Sequence, residues 1–92
     1  MRIGLTGVGR IGAFHAATLD SLDAVDELVL YDFDAARAGK VAAELGARTV
    51  GTEEELLAAG IDGLVIATPT PGHAPMLRKA IAAGVATFCE KP

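Results

Sequence analysis

The residues of this chain best suited to chemistry begin at its seventh position. Gly7-Val8-Gly9-Arg10-Ile11-Gly12 follows a short apolar run and opens a stretch with helical spacing. Glycines at these three positions turn the chain tightly out of a strand, let the backbone approach a ligand and let the helix pack close. The helix that follows offers unpaired N–H groups and a partial positive charge, which suits a pyrophosphate. Gly7, Gly9 and Gly12, with the backbone of Val8, Arg10 and Ile11, therefore form a candidate cofactor-binding turn. A glycine-rich turn between strand and helix can also bind nothing, so the pattern needs a partner. Asp32 is that partner, about 20 residues beyond Gly12 at the close of a second apolar run. A carboxylate there accepts from both hydroxyls of an adenine ribose and repels a 2′-phosphate, which favours NAD over NADP. Asp32 could instead be a turn residue ahead of the next helix, although Asp34 is also placed for that cap. Arg10 and Arg37 are the cations that could weaken the preference; Arg37 is expected on a solvated helix face, near Asp34.

The elements that must position these residues follow from hydrophobic periodicity. Arg2 to Thr6 reads as a buried strand. Ile11 to Leu22 is helix-compatible, with Ile11, Phe14, His15, Thr18, Leu19 and Leu22 near one stripe. Leu28 to Tyr31 is a second strand; Ala38, Val41, Ala42 and Leu45 repeat at helical spacing and Gly46 stops that helix. Arg48 to Val50 is a third strand. Thr52 to Glu55 forms a capping box, with the Glu55 carboxylate reaching back, before a short helix ended by Gly60. Gly63 to Ala67 is a fourth strand. Thr70-Pro71 reads as an N-cap with proline at the first helical position. Met76 or Leu77, Ala80 and Ile81 follow, Gly84 stops the helix, and Val85 to Cys89 is a fifth strand. Strands apolar on both faces and separated by helices predict one α/β unit over residues 1–92, an open parallel sheet covered by helices on both faces.

Bulk properties agree with a small globular unit and narrow the partners. The chain has 92 residues, 51% of them apolar, with three Phe, one Tyr and no Trp, so Ala, Val, Leu and Ile must build the core. A net charge of −4 and scattered cations give no footprint for nucleic acid or an anionic membrane surface. No apolar run approaches the roughly 20 residues of a bilayer span. A lone Cys89 excludes an internal disulfide and fits a reducing compartment, with the cytoplasm expected. No His, Cys, Asp and Glu set has metal-ligand spacing, so no metal is expected. His15 has no acid partner visible in the sequence and reads as a partly buried helix residue.

In an open parallel sheet, ligands sit beyond the carboxyl ends of the strands. Ala67-Thr68-Pro69-Thr70-Pro71-Gly72-His73 and Cys89-Glu90-Lys91-Pro92 both leave strands at that edge, where the glycine turn also lies. Together with Asp32 and Asp62-Gly63-Leu64-Val65-Ile66-Ala67-Thr68-Pro69, these residues resemble the Gfo/Idh/MocA oxidoreductases, the family of inositol 2-dehydrogenase, over essentially the whole chain. The terminal Glu-Lys-Pro is the most specific part of the match. The resemblance implies a Rossmann sheet in strand order 3-2-1-4-5 and an NAD(P)-dependent enzyme that oxidises a secondary alcohol of a sugar or polyol, or runs the reverse reduction. It implies that Lys91 lies beside the nicotinamide and contacts the reacting hydroxyl, as the catalytic residue. It also places Thr68 and Pro69 along the cofactor, His73 near it in a positional or capping role, and Glu90 beside it, with Lys91-Pro92 as a candidate cis bond.

The chain departs from that family in length. Full members continue into the rest of the Rossmann domain and a second α/β domain with the substrate pocket and the usual Asp and His. The expectation is therefore a partial domain, truncated after the Glu-Lys-Pro motif. Its fifth strand would be an apolar edge, inviting self-association through that edge or a sheet face. Three readings stand side by side: the cofactor half of a sugar or polyol (inositol-like) dehydrogenase, a dinucleotide-binding module without catalysis, and a folding or assembly fragment without ligand. For these residues alone the second is preferred, because hydride transfer needs a positioned alcohol and a base.

Overall fold

The computed structural model describes residues 1–90. Its elements run β1 (Arg2–Thr6), α1 (Arg10–Asp20), β2 (Glu27–Tyr31), α2 (Ala35–Leu45), β3 (Arg48–Thr49), α3 (Glu53–Leu57), β4 (Gly63–Ile66), a 3-10 turn (Thr70–Gly72), α4 (His73–Ala82) and β5 (Ala86–Cys89). The five strands form one parallel sheet in the order β3-β2-β1-β4-β5, as expected. The central strand fixes the register. Leu5 lies opposite Leu30 on one side and Val65 on the other, so β1, β2 and β4 end together.

Alternation along the strands feeds two cores. Ile3, Leu5, Leu28 and Leu30 pack with Ala16 of α1 and Ala38 and Ala42 of α2. Val29, Leu64 and Ile66 pack on the other face with Leu56 of α3 and Met76 and Ala80 of α4. The helices meet the sheet largely through alanine, which lets their backbones approach where bulkier side chains would hold them off. This is how a chain with so few aromatic residues closes both faces.

Local signals set the helix ends. Asp34 caps α2 by accepting from the Arg37 N–H, and Gly46 ends it in the left-handed region at φ 68°. Thr52 caps α3 by accepting from the Glu55 N–H at 3.0 Å. The other half of that capping box differs from expectation. The Glu55 carboxylate accepts from the Thr52 hydroxyl at 3.3 Å instead of reaching back to the backbone. The start of α4 also differs. A 3-10 turn closed by the Gly72 N–H on the Pro69 carbonyl precedes it, so Gly72, not Thr70, holds the N-cap position.

The apolar stripe expected on α1 is a further correction. Its buried residues are Gly12 and Ala16, while Ile11, Phe14 and Leu22 are 53%, 67% and 49% exposed. The helix is drawn onto the sheet by its smallest side chains, with Leu19 of the expected stripe packed against the same core and Ile11 and Phe14 turned outward. β5 is an edge strand, as expected, and its Phe88 is also exposed. No described helix is long and apolar enough to cross a membrane.

Candidate functional site

The carboxyl ends of the strands open onto a crevice of about 750 Å3. Of the residues singled out from the sequence, Gly7, Gly9, Arg10, Ile11, Asp32, Thr68, Pro69, His73 and Glu90 line it. Val8 and Gly12 do not; the Val8 side chain is in the core and Gly12 is buried beneath the turn. Lys91 and the Lys91-Pro92 bond lie outside the described residues.

The turn is built so that only glycine serves at two of its positions. Gly7 has φ +94°, and a Cβ there would lie 2.7 Å from the backbone of Ala67 and Thr68. A Cβ on Gly12 would sit 1.8 Å from the Gly7 carbonyl oxygen. Helix α1 therefore presses on the turn itself, and the turn presses on the end of β4. Gly9 is different. Among the described residues a Cβ there would meet nothing nearer than Arg37 Nη1 at 3.6 Å, so their packing does not demand a glycine. As N-cap residue of α1, Gly9 supplies no side-chain acceptor, and the first turn of the helix carries no acid. Its N–H groups and dipole are left for an anion.

Asp32 is tied into the turn. Its Oδ2 accepts from the Val8 N–H and its Oδ1 from the Asp34 N–H, both at 2.8 Å. The residue is only 6% exposed. One carboxylate thus joins the glycine turn, the end of β2 and the start of α2. Each oxygen has a second lone pair for a further donor. Arg37 is 46% exposed on α2, the solvated helix face expected from the sequence, and its backbone N–H donates to Asp34. Its guanidinium reaches over Asp32, with Nη1 3.9 Å from Oδ2, and lines the crevice.

On the other side of the turn, the His73 Nε2 lies 2.5 Å from the Thr68 carbonyl oxygen. With the ring N–H donating, the histidine closes the loop that carries Thr68 and Pro69, which is a positional role. The Thr68 hydroxyl is buried without a partner among the described residues, and so is that of Thr6. Both threonines line the crevice. A buried unpartnered hydroxyl is costly, and a polar ligand would relieve it.

Several lining residues were not singled out from the sequence. Phe33 is 82% exposed and stands at the mouth beside Asp32. Glu53 lines the wall and is held by Lys79 at 2.8 Å. Lys79 also pairs with Glu54, and these two carboxylates push the Lys79 ammonium above its ordinary value of 10.5. The largest correction concerns His15. It does have an acid partner, for its Nε2 lies 2.5 Å from Glu90 Oε2. The partner lies 75 positions away in the chain, so no local pattern could announce it.

Known proteins share this architecture. Residues 1–92 match the model of the GFO_IDH_MocA family, an oxidoreductase family with an NAD-binding Rossmann fold. Myo-inositol dehydrogenase Hyg17 of Streptomyces leeuwenhoekii is 40% identical over 93 aligned residues, covering all of this chain and 28% of the relative. UDP-N-acetylglucosamine 3-dehydrogenase of Acidithiobacillus ferrooxidans is 41% identical, again over all of this chain and 28% of the relative. The crystal structure of GenD2 from gentamicin A biosynthesis, in complex with NAD, superposes with a TM-score of 0.94 at 33% identity, over all of this chain and 27% of that one. The chain thus spans little more than a quarter of the length of the relatives it matches.

Proposed function

We propose that this chain, which belongs to the Gfo/Idh/MocA oxidoreductase family, is the cofactor-binding part of an NAD-dependent dehydrogenase acting on a secondary alcohol of a sugar or polyol. The observation that carries the reading is the joint between Asp32 and the glycine turn. One buried carboxylate holds the Val8 N–H and faces the crevice beside Gly9, whose missing side chain no packing among the described residues requires. Gly7, Gly9 and Gly12, with the backbone of Val8, Arg10 and Ile11, would hold the pyrophosphate. Asp32 would take the adenine ribose and disfavour a 2′-phosphate, so NAD is preferred to NADP. The buried hydroxyls of Thr6 and Thr68 supply unpartnered polar groups along the same path. His73 would fix the loop of Thr68 and Pro69, and Glu90 would stand beside the cofactor.

When bound, NAD supplies a nicotinamide ring that accepts or returns a hydride. Lys91 would contact the reacting hydroxyl, where an ammonium stabilises developing alkoxide charge or relays a proton. The names of the relatives span an inositol and a nucleotide sugar. They support the sugar or polyol class, with an inositol as the first candidate. Residues 1–92 are proposed as part of a larger domain, with the substrate site beyond them. By themselves they are a binding module without turnover, because a positioned alcohol and a base are both required. A cytoplasmic setting is part of the proposal, supported by the lone thiol of Cys89. Self-association through the β5 edge, where Phe88 is exposed, or through a sheet face is also part of it.

Mixing the chain with NAD and a panel of inositols and sugars tests the division of labour. Saturable NAD binding without a rise in NADH absorbance is expected. NADH formation by this chain alone would overturn the binding-module reading.

A further inference from the structure

We propose that His15 is a positioning residue, which holds the Glu90 carboxylate at the β5 end of the crevice to act on the nicotinamide half of the cofactor. The proposal rests on reading the crevice as a dinucleotide site. At 2.5 Å, the contact between His15 Nε2 and Glu90 Oε2 is a short hydrogen bond with the ring N–H donating to a carboxylate. It joins two elements that each deliver part of the site. His15 stands in α1, the helix opened by the glycine turn, and Glu90 continues β5, donating its own N–H to the Ile66 carbonyl at 2.9 Å.

The surroundings fix the imidazole. Phe14 and Phe88 meet it edge-on, with ring centroids 5.8 and 6.3 Å away. The side chains of His15 and Glu90 are 25% and 33% exposed, sheltered enough for the bond to hold a fixed geometry. Glu90 lines the crevice and His15 does not. The histidine therefore acts on the site only through the carboxylate it grips.

Strand order gives the pair its place along the ligand. β2, which leads into Asp32, lies on one side of β1 and its glycine turn; β4 and β5 lie on the other. A dinucleotide with its adenosine at Asp32 and its pyrophosphate on the turn runs its second half toward Glu90. A carboxylate oriented there interacts with the ribose hydroxyls or the cationic ring of the nicotinamide half. It does not touch the adenosine half.

The test uses two ligands on the same chain. ADP carries the adenosine and pyrophosphate without the nicotinamide-side ribose or ring; NAD carries both halves. Calorimetric titration of His15→Ala should show NAD affinity lowered about tenfold, the loss of one charge-assisted hydrogen bond's worth of orientation, with ADP affinity kept within about twofold. Glu90→Gln should behave alike, and the double variant should be no weaker than either single one. His15→Gln, which can still donate to the carboxylate, should recover part of the loss. Equal losses for both ligands mean a distorted α1, and no loss means an idle pair; either overturns the proposal. Binding of neither ligand by the wild-type chain overturns the dinucleotide reading, and the proposal with it. The pair is also read without ligand. The ring-nitrogen chemical shifts of His15 should move in Glu90→Gln, and unchanged shifts would overturn the contact itself.

Discussion

Asp32→Ala should weaken the fold itself by about 3 kcal/mol, before any cofactor is added. The carboxylate is buried and accepts two backbone N–H bonds at 2.8 Å, from Val8 in the turn and from Asp34 ahead of α2. A hydrogen bond to a charged group contributes about 1.5–3 kcal/mol, and a buried donor left unpaired costs about 1–3 kcal/mol. The Val8 N–H is buried and suffers that cost, whereas the part-buried Asp34 N–H can turn to water. Relief of the desolvated charge offsets some of the loss. Against a total stability of about 5–14 kcal/mol for a chain of this size, a loss near 3 is large. Asp32→Asn keeps one acceptor but turns an amide N–H2 toward one of the two donors, so about 2 kcal/mol is expected. Urea unfolding reads both. With a slope of about 1–3 kcal/mol/M, the midpoint of the alanine variant should fall by about 1–3 M. An unchanged midpoint in Asp32→Ala would refute the claim that this side chain holds the turn, and would leave it a ligand contact only.

The second and third glycines of the turn should separate binding from folding. Gly9→Ala meets no atom of the described residues nearer than 3.6 Å, so stability should stay within about 0.5 kcal/mol while NAD affinity falls by tenfold or so. Gly12→Ala puts a methyl 1.8 Å from the Gly7 carbonyl, and overpacking of at least about 2 kcal/mol should appear as a lower thermal midpoint. Sedimentation of the chain should show mass rising with concentration through the β5 edge and its exposed Phe88; Phe88→Lys should suppress it, and a clean wild-type monomer at high concentration would contradict the expectation. The hydrogen bond from Lys79 holds the Glu54 carboxyl below its ordinary value of 4.5. The linked stability is present above that value and fades as pH falls through the lowered one, so Lys79→Met should flatten the acid limb of a stability–pH curve, with salt doing the same.

The order of elements was legible because each is short, strongly patterned and marked by its own punctuation. Gly46, Asp34 and the Thr52 cap all act within four residues of the helix end they set, so sequence alone could locate them. The glycine turn and Asp32 were legible for a related reason: the fold needs both at fixed distances along the chain. What failed to show was whatever depends on elements meeting in space. The burial of α1 through Gly12 and Ala16, with Phe14 and Ile11 outward, is a matter of how closely a helix can approach a turn. The reach of Arg37 over Asp32 needs the α2 geometry. The bond between His15 and Glu90 needs the whole sheet, since it spans the chain from α1 to the end of β5. At α4, Pro71 suggested a helix start, yet the Pro69 carbonyl claims the Gly72 N–H and delays the helix to His73.

The central claim is that the glycine turn and Asp32 together hold NAD. Calorimetric titration of the chain with NAD tests it most directly, with NADP and ADP-ribose as comparisons. The account predicts saturable binding at one site per chain, displaced by ADP-ribose and weaker for NADP. No binding heat with NAD, or NADP binding more tightly than NAD, would contradict it.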